Sequence, residues 1–171
     1  MFAAINESNL PETAFLRRYA DEGHYTDCFT TRVPVATSLP DFVKAFYTTR
    51  LFKAERVILR WLALPSTDAE AKQVARGARD DFAAWTVEDR GVDQLLLIDV
   101  RQRTGSWFMV RQGDPGSVLY FGSVVFRTEE MSGGRKMRWT HRWLLGFHRL
   151  YSCALLSAAR SRLLRRPPPG G

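Results

Sequence analysis

Cysteine and long apolar runs are scarce in this sequence, and each shortage excludes a class of protein. The two cysteines among 171 residues are Cys28 and Cys153. They are too few for a disulfide framework or, by themselves, a zinc site, and such scarcity is typical of proteins in a reducing cytoplasm. No run of 18 apolar residues occurs, and residues 1–10 lack the basic start and apolar core of a signal peptide. We therefore expect a soluble cytoplasmic protein that is not exported.

Acidic residues are absent from residue 131 onward. The chain has 25 Lys and Arg and 18 Asp and Glu, and nine of the basic residues but none of the acidic ones lie in Met131–Gly171. This local charge fits an anionic membrane surface or an acidic protein as a partner. Nucleic acid is disfavoured, because no basic helix stands clear of the predicted core and no exposed aromatic series alternates with the charges.

The overall composition fits one domain. With 45% hydrophobic residues, a chain of this length can bury roughly two-thirds of its unfolded surface in a single core. We place an N-terminal extension at 1–23, the domain at 24–164 and a basic, proline-rich tail at 165–171. The tail cannot continue a helix, because each proline lacks an amide hydrogen and clashes with the preceding turn.

Local patterns predict one strand and three helices in the first half of the domain. The strand is rich in β-branched and aromatic residues. The first helix has a serine cap, the second has an apolar face, and the third begins with a capping-box pattern. The strand is Tyr25–Val35, and the helices follow Ser38, occupy Phe52–Leu64, and run from Thr67 to an interruption at Gly77.

From Phe82 onward, the apolar period changes from about 3.6 residues to about 2, and glycine-containing turns separate the apolar segments. This pattern predicts an antiparallel meander sheet of five or six strands, including Tyr25–Val35. The further strands are Phe82–Glu88, Gln94–Arg103, Ser106–Gln112 and Val118–Thr128, with Lys136–Thr140 as the optional sixth.

The turn at Thr104-Gly105 determines which side chains share a face of the meander. Two loop residues there put Trp107 on the face of Ile98 and place Gly122 beside the indole, where the missing side chain leaves room. We expect this face to be the inner one. Its members are Ile98, Val100, Trp107, Met109, Arg111, Val118, Tyr120, Gly122, Val124 and Phe126. The other face is too apolar to be wet throughout, so the first helices or an associating protein should cover part of it. It holds Leu97, Asp99, Arg101, Phe108, Val110, Phe121 and Arg127.

A long closing helix is predicted at His141–Leu164. Its apolar residues fall within one arc and should pack on the sheet, which makes the fold α+β. They are Trp143, Leu144, Phe147, Leu150, Tyr151, Ala154, Leu155 and Ala158. The opposite side is basic, and it is either a solvated outer face or a surface for an anionic membrane or an acidic protein. Its members are Arg142, Arg149 and Arg160, continued by Arg165 and Arg166.

Seven residues are candidates for binding a small apolar molecule between the expected inner face and the closing helix. A few polar groups in apolar surroundings can orient the carboxylate or carbonyl of a ligand. The candidates are Trp107, Met109, Arg111, Tyr120, Phe147, His148 and Tyr151. The competing interpretation is that their polar members are ordinary strand-end or surface residues.

No motif assigns a reaction, and we predict no metal and no cofactor. His141 and His148 lie about 10 Å apart along the predicted helix, which is too far for them to share one zinc ion. The sequence contains no nucleophile-elbow or phosphate-loop motif, and Cys153 fits an inert, partly buried thiol. The leading hypothesis is binding without catalysis. If the protein is an enzyme of the cyclase or hydrolase kind, His148 or Asp99 is the candidate acid or base.

Three segments carry a family resemblance: Asp93–Asp99, Arg103–Val110, and Phe147–Ser152 followed by Leu155 and Leu156. They resemble an uncharacterised bacterial family, known as a domain of unknown function, over about residues 24–164. The order of elements is similar to the helix-grip arrangement of START-like (SRPBCC) proteins, in which a curved sheet wraps the C-terminal helix. The resemblance implies a cavity between sheet and helix for a lipid, a polyketide or another apolar molecule. Some members of that group are cyclases or components of hydroxylating enzymes.

Overall fold

One antiparallel sheet organises the chain. The structure is a computed structural model and describes residues 5–49, 67–82, 84–127 and 135–165, without the side chains of residues 82 and 135–148. Seven strands occur in these ranges: β1 (Asn6–Glu7), β2 (Tyr25–Val33), β3 (Asp81–Phe82), β4 (Trp85–Arg90), β5 (Gln94–Asp99), β6 (Thr104–Gln112) and β7 (Ser117–Val125). Their spatial order is β1-β2-β7-β6-β5-β4-β3, and all neighbours are antiparallel. Strands β3 to β7 therefore form a meander, which β2 extends by pairing with β7.

Helices join β2 to the meander and close the fold. Those in the described ranges are α1 (Arg17–Asp21), α2 (Leu39–Tyr47), α3 (Asp68–Arg76) and α4 (Arg135–Leu164). The side chain of Ser38 accepts the amide of Asp41 at the start of α2, and Thr67 with Glu70 forms the expected capping box at the start of α3. Gly77 ends α3 in the left-handed conformation, with φ of 76°. The helix predicted at Phe52–Leu64 lies outside the described residues.

The α+β class, the meander and the closing helix on the sheet are confirmed, and the arrangement is compatible with a helix grip. The strand count rises to seven because the two-residue strands β1 and β3 add to the two edges of the sheet. The optional strand at Lys136–Thr140 is wrong, since these residues belong to the first turns of α4. No glycine or proline interrupts Arg135–Thr140, and Lys, Arg and Met favour a helix.

The turn between β5 and β6 differs from the predicted one. Its loop runs from Val100 to Arg103, so Trp107 pairs with Leu96 rather than with Gln102. The pairing thus slips by six residues, an even number, so the paired residues keep their predicted faces, whereas Val100 and Arg101 lie in the loop instead of the strand. Trp107 and Gly122 are direct partners, as predicted. A Cβ on Gly122 would lie 3.0 Å from Cε3 of the indole.

An aromatic core fills the described part of the sheet face that meets the helices, which we call the closed face. Phe46 of α2 lies with its ring centroid 4.9 Å from Phe108 and 4.6 Å from Phe121, close enough for direct ring contact. The sheet residues buried in this core are Phe29, Val33, Leu95, Leu97, Phe108, Val110, Leu119 and Phe121. The helices add, among others, Phe42, Val43, Phe46, Tyr47, Val74, Leu155, Leu156, Ala159 and Leu163.

The second half of α4 presents a different side to the sheet than its sequence predicts. Its buried residues are Ser152, Leu155, Leu156, Ala159 and Leu163. Leu150, which the prediction placed in the core stripe, is 74% exposed, and Ala154 and Ala158 are half-buried. Leucines occur on both sides of this helix, so its sequence does not define a single apolar arc. The side that carries Ser152 and Ala159 packs against α2 and β2. Trp143, Leu144 and Phe147 lie outside the described side chains.

The opposite face of the sheet, which we call the open face, is the one predicted to be inner and to receive the closing helix. Much of it is buried, but the prediction of its cover is wrong, because α4 packs on the closed face. The open face carries a second cluster built on Trp107, Met109 and Leu96, and the residues that cover this cluster are Leu10, Ala14, Phe15, Leu16 and Tyr19 of the N-terminal segment. Both faces are apolar enough to require a cover. The strand pattern alone therefore did not show which cover each face receives.

Candidate ligand-binding groove

A groove of about 640 Å³ lies on the open face, between the sheet and the N-terminal segment. Its floor is formed by side chains of three adjacent strands: Thr30 and Arg32 of β2, Val118 and Tyr120 of β7, and Arg111 of β6. Its wall is formed by Asn6, Ser8, Asn9, Pro11, Glu12 and Thr13. The volume falls within the range of about 300–1,000 Å³ that small-molecule sites usually have.

The register of the sheet places two arginines symmetrically in this floor. Arg32 pairs with Val118, and Val118 pairs with Arg111, so the three residues form one row across β2, β7 and β6. Neighbouring strands are about 4.8 Å apart, which separates the two arginine backbones by about 10 Å. Tyr120 lies two residues along β7 on the same face, and Cζ of Arg111 lies 5.9 Å from the centroid of its ring.

The guanidinium groups of Arg32 and Arg111 are available to a ligand. Within the described residues, neither side chain forms a hydrogen bond or an ion pair with the protein. Both residues are exposed, and both line the groove. Glu12 is the acidic residue of the lining, and it forms no ion pair with either arginine. The floor of the groove is therefore positively charged.

The wall of the groove is fastened at its two ends. At one end, the amide of Ser8 donates to the carbonyl oxygen of Cys28 at 2.9 Å. At the other, the buried amide of Gln94 binds the N-terminal segment to the sheet. Its Nε2 donates to the carbonyl oxygen of Thr13 at 2.9 Å, and its Oε1 accepts the amide of Phe15 at 3.1 Å and Nε1 of Trp107 at 2.9 Å. The wall is thus held in place without a long strand.

Five of the seven predicted ligand residues have described side chains, and these five do not come together as one site. Arg111 and Tyr120 line the groove, whereas Trp107 and Met109 are fully buried beside it under the N-terminal segment. Tyr151 packs against the core on the closed face, on the other side of the sheet. The predicted convergence with α4 is wrong for these five residues, because the helices cover the face opposite to the one predicted. Phe147 and His148 lie outside the described side chains.

Asp27 is a second feature, and sequence analysis missed it. It is 7% exposed, and it lies on the closed face, where its Oδ1 accepts the amide of Ser123 at 2.9 Å and the hydroxyl of Ser123 at 2.6 Å. The period of two along β2 gives the signal that could have found it, since Asp27 belongs to the same series of alternate residues as the buried Phe29 and Val33. The pKa of the Cys153 thiol is raised mainly by burial and, to a smaller extent, by the negative charge of Asp27. That thiol is held in its less reactive, protonated form.

Asp99, a candidate acid or base, has a structural role in the loop between β5 and β6. Its carboxylate accepts the amides of Arg101 and Arg103 at 2.8 Å each. It also accepts both the amide and the hydroxyl of Thr104. These four hydrogen bonds close the loop, which explains why an aspartate stands at the end of β5.

The predicted basic surface of α4 is partly used within the chain. Arg149 forms an ion pair with Glu7 of β1, and Nε of Arg160 donates to the carbonyl oxygen of Arg32 at 3.0 Å. Arg165 is exposed. Arg142 and Arg166 lie outside the described side chains. The two bound arginines attach α4 to the edge of the sheet, so this part of the helix is not a wholly solvated face.

The described residues give no sign of a metal centre or of a membrane span. They contain no group of three or more His, Cys, Asp or Glu side chains placed to hold a metal ion. Among their helices, none combines the length and the apolar character needed to cross a bilayer. A scan of the sequence against models of known protein families finds no match, and neither does a search of the curated proteins. The resemblance to START-like proteins stays a prediction.

Proposed function

We propose that this protein binds a small molecule in the groove on the open face of its sheet. The observation that carries the proposal is the groove itself, whose volume of about 640 Å³ and mixed polar and apolar lining suit a small organic ligand. Its floor lies on β2, β7 and β6, which pair continuously through this region. A site built on such a regular ladder needs little reorganisation when a ligand binds, and this preorganisation favours affinity.

Protein NMR with a mixture of fragments tests the proposal. In the isotope-labelled protein, we expect the backbone signals of residues 8–13, 30–32 and 118–120 to shift on binding. The variant Val118→Trp fills the middle of the floor and should abolish these shifts. Val92→Trp is the matched control, because Val92 is 99% exposed in a loop, away from the groove. Ligands that bind the wild type and Val118→Trp equally well would show that the site lies elsewhere.

A second candidate site lies on the closed face, where the START-like resemblance implies an apolar ligand between sheet and helix. Asp27 favours it, since a carboxylate buried on that face can orient a hydrogen-bond donor of a ligand. The aromatic core fills the described part of this interface, so the ligand would have to lie towards the first half of α4. Loss of a co-purified molecule in Asp27→Asn but not in Val118→Trp, measured by native mass spectrometry, would favour this second site.

A further inference from the structure

We infer that the ligand of the groove carries a carboxylate or phosphate group, which binds between Arg32 and Arg111, and a flat apolar part, which lies along Val118 and Tyr120. The inference rests on the proposed function and specifies the chemistry of its ligand. It follows from the row of three residues across the sheet and from the state of the two guanidinium groups.

The row provides a geometry that suits an anionic oxygen group. Arg32 and Arg111 flank Val118 on the two neighbouring strands, and the guanidinium group of each offers a planar fork of N–H donors. Such forks match the oxygen spacing of carboxylates and phosphates and bind them through paired, charge-assisted hydrogen bonds. A side chain reaching from each side can span the distance of about 10 Å between the two backbones to meet one group above Val118.

The described part of the protein supplies no partner for the two arginine charges of the groove. Neither arginine forms a hydrogen bond or an ion pair there. The two positive charges belong to one row of residues across the floor, while Glu12 belongs to the wall. This arrangement favours a ligand with an anionic end on the floor, and it disfavours a polyanion that would also have to pass the carboxylate on the wall.

Tyr120 supplies the surface for the remainder of the ligand. Its ring is half-buried, lines the groove and lies beside Arg111. An aromatic ring fixed in a sheet binds flat groups by stacking, and the aliphatic side chain of Val118 extends this surface towards Arg32. The ligand class is therefore a small organic acid or phosphate ester with a planar part.

Titration calorimetry with three probes tests the inference: naphthoate, its neutral analogue naphthamide, and inorganic phosphate. We expect wild-type protein to bind naphthoate at least about tenfold more tightly than naphthamide, because a charge-assisted pair is lost in the amide. Arg32→Gln and Arg111→Gln should each weaken naphthoate binding about tenfold or more and leave naphthamide binding unchanged. Arg101→Gln is the matched control, since Arg101 is exposed in the loop between β5 and β6 and should leave every affinity unchanged.

The outcomes separate the chemistry of the ligand from the location of the site. If naphthamide binds as tightly as naphthoate and both are lost in Val118→Trp, the groove is a binding site and the anionic inference is wrong. If naphthoate binds and Val118→Trp has no effect, the proposed function fails as well.

Inorganic phosphate is then added as a competitor of naphthoate. If phosphate displaces naphthoate, the two arginines recognise the oxyanion itself. If naphthoate binds and phosphate does not displace it, the planar part of the ligand is required. Absence of saturable binding of both anions at millimolar concentration would overturn the inference. Thermal melting of each variant, expected to match the wild type, excludes misfolding as the cause.

Discussion

The two faces of the sheet are formed by the same strands, but they are covered by very different parts of the chain. On the closed face, rings from α2 contact rings from β6 and β7 directly, and the buried half of α4 completes the core. On the open face, a short N-terminal segment covers one end of the sheet, and a groove remains beyond it. The comparison teaches that stability and binding are divided between the faces: one is filled by the protein, and the other leaves space for a ligand.

The largest expected effect is on the closed face. Phe108→Ala removes a fully buried ring that lies 4.9 Å from Phe46 and 5.3 Å from Phe121, centroid to centroid. We expect a loss of about 3–5 kcal/mol in the free energy of unfolding, measured with urea, because a cavity replaces the ring. Val118→Ala, in the floor of the groove, should cost less than about 1 kcal/mol. Equal losses at the two positions would contradict the division between the faces.

Crowding under the N-terminal segment gives the next effect. In Gly122→Ala, the new Cβ would lie 2.7 Å from the backbone oxygen of Asp27 and 2.9 Å from Cδ2 of Leu16. We expect a loss of about 1–3 kcal/mol from overpacking. Gly113→Ala is the control, because the nearest atom to its Cβ would be 3.8 Å away. A neutral Gly122→Ala variant would mean that the covered end of the open face is looser than the structure shows.

Gln94→Leu tests how the wall of the groove is attached. The change removes the bonds to Thr13, Phe15 and Trp107. We expect a loss of about 1–3 kcal/mol, because buried partners are left without hydrogen bonds. Hydrogen exchange should accelerate at the amide of Phe15 but not in α2. Uniform acceleration in both places would show that the two faces unfold as one unit.

The titration of Tyr19, on the open face, makes the stability of the protein depend on pH. Burial, followed by its hydrogen bond to Glu88, raises the pKa of Tyr19 to about 12. Since the ordinary value is 10, its stabilising contribution is complete below about pH 10 and is lost as the pH rises towards 12. The tyrosinate absorbance of the wild type should contain a transition near pH 12 that Tyr19→Phe lacks. A transition at the ordinary value would show that the ring is not covered.

The smallest effect concerns the ion pair that joins β1 to α4. Arg149 and Glu7 are both largely exposed, so Arg149→Gln should cost no more than about 1 kcal/mol, and added salt should reduce the difference from the wild type. Arg165→Gln, which changes an exposed arginine without an ion pair in the described residues, is its control. A larger cost at Arg149 would mean that this contact holds the wall of the groove in place.

Local signals in the sequence predicted the parts of the fold that depend on neighbouring residues. Ser38, Thr67 and Gly77 mark helix ends through bonds and dihedral angles that extend over a few residues. The sharing of faces was also predictable, since the error in the register between β5 and β6 was even, and the register between β6 and β7 places Trp107 opposite Gly122 as expected. These features need no knowledge of distant contacts.

The assignment of covers to faces depends on contacts between residues far apart in the chain. The bond from Gln94 to Thr13 spans 81 residues, and no periodic pattern encodes it. The groove was therefore missed as a whole, although two of its residues, Arg111 and Tyr120, were singled out as polar groups beside apolar ones. Arg32 and Asp27 were missed because strand β2 was read for its propensity and not for the alternation of its faces.

The shared acceptor on Gln94 gives the protein an optical signal of its own. The indole N–H of Trp107 and the amide of Phe15 meet at one oxygen atom, so any displacement of residues 8–13 changes the polarity and hydrogen bonding around that fluorophore. We therefore expect a ligand in the groove to change the tryptophan emission of the protein, which can be followed without an added dye.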